Sequence, residues 1–195
     1  FRRVLFRSYW VFSRPFSPQD VPAGWADVLE QVYVGSSGVV YKFRLAMPRA
    51  MLLGAWTVVP DTGTAVIDSV SAVERNIAAH TYLTKDPGIP SGAPDSVGTA
   101  TITSYGLHRV AVTTEGSRPA VLRLADLYYP DWQVTVDGKP APLLRADHAL
   151  RAVAVPAGRH EVVFTFQSRA FTLGLWTSIV SAALAVALLL LGRRR

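Results

Sequence analysis

Three carboxylates, Asp126, Asp131 and Asp137, lie close together in the sequence and could in principle do acid–base work. Cleaving a glycosidic bond takes two such groups facing one bond at a set separation, which spacing along a chain does not establish. Asp137 precedes Gly138 and suits a hairpin turn, while Asp126 and Asp131 flank a Tyr128-Tyr129-Pro130 bend where carboxylates bond backbone amides. Turn chemistry is therefore the expectation for all three. Tyr128, Tyr129 and Trp132 could offer a sugar an apolar ring face with a polar edge. Trp132 opens an alternating strand and is expected in the core, whereas one of two adjacent tyrosines must point outward from an extended segment. Arg145 and Arg151 bracket Asp147 and His148. They could meet a lipid phosphate or an acidic polymer, but a solvated hairpin with mutual ion pairs is the preferred reading. The candidate glycan contacts are thus Tyr128, Tyr129, Trp132, Arg145 and Arg151.

Other chemistries lack their residues. The four histidines, His80, His108, His148 and His160, form no i,i+4 pair, and there is no cysteine to complete a metal-ligand set. No Gly-x-Ser-x-Gly elbow or phosphate loop occurs, so neither a catalytic residue nor a metal or cofactor is assigned. No Leu-Pro-x-Thr-Gly sorting signal precedes the apolar C-terminal run.

These residues must be positioned by a chain that turns to β from Thr99 onward. Thr101-Ile102-Thr103, Val110-Ala111-Val112-Thr113 and Ala120-Val121-Leu122-Arg123-Leu124 are short runs of strand formers. Trp132, Val134 and Val136 alternate with polar residues, as do Val162, Phe164 and Phe166 with Glu161, Val163 and Thr165, so each run has one apolar face. Asp137-Gly138 and Pro156-Ala157-Gly158 supply turns. Five to seven strands in this stretch predict an antiparallel β-sandwich. Upstream, 49–59 reads as a strand, Asp61 as the cap of a helix running to Ala78-Ala79, and 80–83 as a second strand. Residues 28–34 fit a short helix or a strand. The proline- and glycine-rich segment 85–98 reads as a loop or linker.

Residues 171–191 carry no charge and are closed by Gly192 and Arg193-Arg194-Arg195. A helix of that length is about 31 Å long, the hydrocarbon thickness of a bilayer. Its polar side chains are Thr172, Thr177, Ser178 and Ser181, whose hydroxyls can bond back to helix carbonyls. A transmembrane helix is expected, with the arginines on the cytoplasmic side and the preceding domain outside, close to the membrane surface. The first eight residues read like translated sequencing-library adapter, and an export element is expected further upstream. Three of the 20 basic residues lie in that adapter-like string and three in the tail, so the remaining 14 balance the 14 acidic ones. The domain between is close to neutral, without the basic stripe nucleic-acid binding needs.

The block Ala125-Asp126-Leu127-Tyr128-Tyr129-Pro130-Asp131-Trp132-Gln133-Val134-Thr135-Val136-Asp137-Gly138-Lys139-Pro140 resembles the C-terminus of YfhO-type bacterial membrane proteins. Leu144-Arg145-Ala146, Leu150-Arg151-Ala152-Val153, Val155-Pro156-Ala157-Gly158-Arg159-His160 and the terminal span continue the likeness. Met47-Pro48-Arg49-Ala50 and Val58-Val59-Pro60-Asp61 extend it upstream, so that it covers roughly residues 45–195. Asp131 stands where the family often has glycine. The resemblance implies a multi-pass protein similar to GT-C glycosyltransferases, which use polyprenyl-phosphate sugars outside the membrane to decorate glycopolymers such as teichoic acids. It places the acidic catalytic residues in an early outer loop, which these residues do not include.

The expectation is therefore a mainly β chain: a small α+β segment over 9–84, a linker over 85–98, a β-sandwich over 99–168, a membrane helix over 171–192 and a basic tail over 193–195. Its partners would be the lipid bilayer, the rest of a membrane-embedded parent, and a glycopolymer or polyprenyl-phosphate sugar. The alternative is a single-span anchored sandwich serving as an adhesion or scaffold module.

Overall fold

The computed structural model describes residues 8–15, 26–71, 77–95 and 97–192. The adapter-like residues 1–7, the middle of the expected helix at 72–76 and the arginine tail lie outside the described residues. Strands dominate, in three sheets, and one long apolar helix closes the chain.

The first sheet joins β1 (Tyr9–Phe12), β2 (Leu29–Gly35) and β3 (Gly38–Phe43) in the order β1-β3-β2. Residues 28–34 thus resolve mostly as strand. Leu29, Val39, Tyr41 and Phe43 are buried there, with Trp10 and Phe12 packed against them.

Two larger sheets face each other. One is five-stranded and antiparallel, built from β7 (Gly98–Tyr105), β8 (Arg109–Gly116), β10 (Trp132–Val136), β11 (Lys139–Ala141) and β14 (Gly158–Phe166), in the order β11-β10-β14-β8-β7. The other takes β4 (Ala50–Leu53), β5 (Ala55–Val58), β6 (His80–Leu83), β9 (Ala120–Leu127), β12 (Leu144–Ala146) and β13 (Leu150–Val155), in the order β4-β9-β13-β12-β6-β5. Alternation puts Val110, Val112, Val134, Val162 and Phe164 of the first against Leu52, Leu122, Leu124, Val153 and Val155 of the second. Each such side chain contributes roughly 1.5–3 kcal/mol by leaving water.

The six-stranded sheet is not flat. Laid out, its edge strands would stand about 24 Å apart, at about 4.8 Å per strand. Yet β4 and β5 are those two edges, and only Gly54 separates them. The sheet must therefore curl until one kinked strand, residues 50–58, pairs with β9 antiparallel on one side and with β6 in parallel on the other. Glycine is required at the kink because a Cβ would sit 2.4 Å from Val97 Cγ1 and 2.5 Å from Arg118 Nη2. The curled interior buries Trp56, Leu83, Val121, Leu144, Ala146 and Ala152.

One organisational expectation changes. The α+β segment is no separate unit, because 50–58 and 80–83 furnish half of the six-stranded sheet, and a strand edge is satisfied by any chain that reaches it. Segment 85–98 is a largely exposed loop tied to the kinked strand: Gly92 N donates to Gly54 O, the Ser91 hydroxyl bonds Trp56, and Val97 is buried. Helix α1 is described over Gly63–Ser71, and the expected cap Asp61 forms an ion pair with Arg145.

The Asp137-Gly138 turn is as expected, with φ of 50° and 76°, the two left-handed positions a tight hairpin needs. Asp137 Oδ1 accepts from Glu161 N at 2.9 Å, and its Oδ2 lies 2.6 Å from His160 Nδ1. Hydrogen bonding to His160 holds the Asp137 carboxyl below its ordinary 3.8, and the same bond raises His160 above 6.5. The His160 contribution is complete below 6.5 and is lost as pH rises through the folded value. The Asp137 contribution is complete above 3.8 and is lost as pH falls through its folded value. The thermal-stability difference between wild type and His160→Gln should therefore be largest between pH 3.8 and 6.5 and shrink on either side. A difference that stays constant across pH would disprove the coupling.

Helix α2 (Arg169–Gly192) follows β14 after two residues, with Ser168 Oγ accepting from Phe171 N at 3.2 Å as its cap. Thr172, Thr177 and Ser181 bond carbonyls three or four residues back, which removes their cost in an apolar medium. Residues Ala170–Gly192 form a helix long and apolar enough to cross a bilayer, and none of its most apolar stretch is buried against the domain.

Candidate functional site

The site lies where the strands of both sheets end beside α2. There β9 ends at Leu127, β10 begins at Trp132 and β13 begins at Leu150, and the register shifts between Leu150 and Arg151. That irregularity brings Arg151 under Trp132. The Arg151 guanidinium is 3.8 Å from the Trp132 ring centroid and 5.6 Å from that of Phe164. A cation on an indole face gains from the ring quadrupole, most of all when both are shielded from water.

Asp126 holds this arginine from the other side, with Oδ2 at 2.9 Å from Arg151 Nη2. Its Oδ1 accepts from Arg49 Nη1 at 3.1 Å and from the Tyr105 hydroxyl at 3.0 Å. Arg49 also bonds that hydroxyl and lies over the Tyr105 ring at 4.9 Å. One carboxylate, from β9, is thus shared by two arginines and a phenol from three other strands and loops. Burial, then the bond to Asp126, raises Tyr105 above its ordinary 10.0. Burial lowers Arg151, with Asp126 opposing that shift. Arg151 Nε and Nη1 are enclosed and have no hydrogen-bond partner among the described residues. Tyr105, Leu107, Val110, Asp126, Trp132 and Arg151 line a cleft of about 310 Å³ here.

An aromatic row runs outward from the cleft. The Phe166 ring meets Trp132 at 5.4 Å, Tyr129 at 6.2 Å and His108 at 5.9 Å between centroids. Tyr129 is exposed, as one of the two tyrosines had to be, while Tyr128 is half-buried with its amide bonded to Ala149 O. On the far side of β10, Gln133, Gln167, Ser168, Thr172 and Leu173 line a second hollow, of about 340 Å³, at the entry to α2.

Of the five candidate glycan contacts, the structure brings Trp132 and Arg151 together and sets Tyr129 beside them. Tyr128 does not line the cleft, and Arg145 turns away to Asp61 although its Cα opposes that of Arg151. The expected mutual pairing within the 145–151 hairpin does not form: Arg151 takes Asp126, and Asp147 takes Arg123. Adjacent cross-strand cations repel, so each finds a carboxylate elsewhere. The three carboxylates are likewise dispersed, Asp126 to this cluster and Asp137 to its hairpin, while Asp131 receives Gln167 N on its carbonyl. Arg49 and Tyr105 had no sequence signal as site residues, being far from Asp126 along the chain. No group of three or more His, Asp or Glu side chains able to hold a metal occurs among the described residues.

A strand-rich domain whose last strand runs straight into an apolar helix, with the Tyr-Tyr-Pro-x-Trp bend at that junction, has a counterpart among known families. Residues 99–178 match the family model described as bacterial membrane protein YfhO. Over these residues the chain is similar to YfhO-type proteins. The match spans all the strands from β7 onward and the first turns of α2, so the YfhO-type segment contains Tyr105, Asp126, Trp132 and Arg151 but not Arg49. The family match and α2 both support membrane association. No curated protein and no solved structure matches the chain.

Proposed function

We propose that this region is a non-catalytic accessory domain of an envelope glycosyltransferase, outside the membrane, that orients an acceptor glycopolymer for transfer from a polyprenyl-phosphate sugar. The C-terminus of α2 is cytoplasmic in this reading. The observation that carries it is the row Tyr129–Phe166–Trp132 leading to Arg151, in a cleft that opens beside the helix. Exposed rings suit sugar faces, and an arginine at the end of the row suits the phosphates or carboxylates of an acidic polymer. The YfhO match supports the membrane-bound parent over an anchored adhesion module.

The test is Tyr129→Ala in the intact protein. Because the ring is exposed, its loss leaves the fold in place, and a stacking contact of about 1 kcal/mol corresponds to roughly a fivefold drop in transfer at limiting acceptor. Transfer equal to wild type, with an unchanged melting temperature, would remove the acceptor-orienting role.

A further inference from the structure

The end of the domain that meets α2 carries a ring of exposed apolar side chains, of which Tyr105 and Leu107 also form the outer lip of the cleft. Leu107, at the tip of the β7–β8 turn, is 90% exposed, and Leu127, at the end of β9, is 73% exposed. Tyr129 and Tyr105 are each more than half exposed. Strand pairing puts them at one end: Arg109 opposes Thr165, Trp132 opposes Phe166, and Leu127 opposes Leu150. Backbone bonds tie the same loops together, Phe166 N to His108 O, Gln167 N to Asp131 O and Tyr128 N to Ala149 O. The helix begins three residues beyond Phe166.

We infer that this rim is a bilayer-docking surface: Leu107, Leu127 and Tyr129 seat in the interfacial layer of the same membrane that α2 crosses. The argument is one of continuity. A short tether of two residues leaves the rim no room to stand far from the surface, and leucine and tyrosine tips are the side chains that gain most at that depth. Arg49 and Arg109 are exposed at the same end and can reach headgroup phosphates, while the carboxylate of Asp126 is held inside by its own cations. Asp131 at this end is half-buried, and Asp147 in the adjoining β12–β13 turn is paired with Arg123. Docking fixes the domain's tilt and opens the Arg151 cleft at headgroup level. The inference rests on α2 spanning the bilayer.

The sequence contains no cysteine, so single cysteines can be read one at a time. The whole chain is placed in nanodiscs of phosphatidylethanolamine and phosphatidylglycerol, with a fluorophore on Leu107→Cys, Leu127→Cys, Tyr129→Cys, Lys139→Cys or Leu184→Cys. Lys139 lies in the hairpin at the opposite end and reports water, and Leu184 lies mid-helix and reports depth. Spin labels on lipid headgroups should quench the three rim positions several-fold more than Lys139→Cys, while labels deep in the acyl chains quench Leu184→Cys. Rim positions that respond like Lys139→Cys overturn the docking surface, as do rim positions shielded from both lipid and aqueous quenchers. If Leu184→Cys escapes the deep label, the spanning reading fails first and takes the docking surface with it.

Discussion

Asp147→Asn is expected to destabilise the domain by about 3–5 kcal/mol, the cost of leaving a buried charge without its partner. Arg123 is 1% exposed, and its Nη1 lies 2.7 Å from Asp147 Oδ2. Asp147 Oδ1 meanwhile accepts from the Thr81 hydroxyl at 3.0 Å and from Tyr82 N at 2.8 Å. One carboxylate thus joins the β12–β13 turn, β6 and β9. Asparagine is nearly isosteric and tolerates the left-handed φ of 46° at this position, so the substitution removes charge without adding backbone strain. Burial lowers the Arg123 pKa, and Asp147 opposes that shift. Removing the opposition leaves the cation enclosed. Denaturant unfolding of wild type, Asp147→Asn and the double variant with Arg123→Met separates the terms. The double variant should recover most of the loss, since an apolar replacement of both charges is often close to neutral. A loss of under about 1 kcal/mol in Asp147→Asn would show that Arg123 does not depend on this partner.

Asp126→Ala should be of similar size, about 3 kcal/mol, for a different geometrical reason. Its carboxylate accepts from Arg49 and Tyr105 and is ion-paired with Arg151, and Arg151 already has two donors without partners. Losing Asp126 frees the last of them. Arg49 is half exposed and can turn to water, so it adds little to the cost. Arg151→Met, by contrast, keeps a flexible apolar stem against Trp132 and Phe164 and should cost much less than Asp126→Ala. Thermal melts of the two variants read the difference. Equal losses would mean that packing of the arginine stem, not its pairing, holds the cluster together.

Much of this architecture was legible in the chain because its signals are local. The alternations at Trp132-Val134-Val136 and Val162-Phe164-Phe166, the Asp137-Gly138 turn and the uncharged terminal run each depend on neighbours a few residues away. The closure at Gly54 was not legible, since a glycine in an apolar stretch reads as a weak strand and not as a strand that borders two distant partners. The hairpin carrying Arg145, Asp147 and Arg151 misled for a related reason. Charges close in sequence were paired with one another, whereas the sheet sends Arg145 to Asp61, Asp147 to Arg123 and Arg151 to Asp126. At the cleft, Trp132 and Arg151 could be singled out by type. Arg49 and Tyr105 become site residues only once β4 and β7 are packed beside β9.

The strand that bends at Gly54 also sets an order of events. It leaves the ribosome before its partner, since Ala50 pairs with Leu124 and Leu53 with Val121, residues synthesised about 70 positions later. Its backbone edge must therefore wait unpaired while the intervening chain is made, and pairings of such wide sequence separation form slowly. A fragment cut at residue 99, where the family match begins, never receives that strand. It would hold β9 and β12 with open edges, and open edges recruit whatever strand they meet. The stretch most easily recognised by likeness thus lacks three strands of the sheet it belongs to.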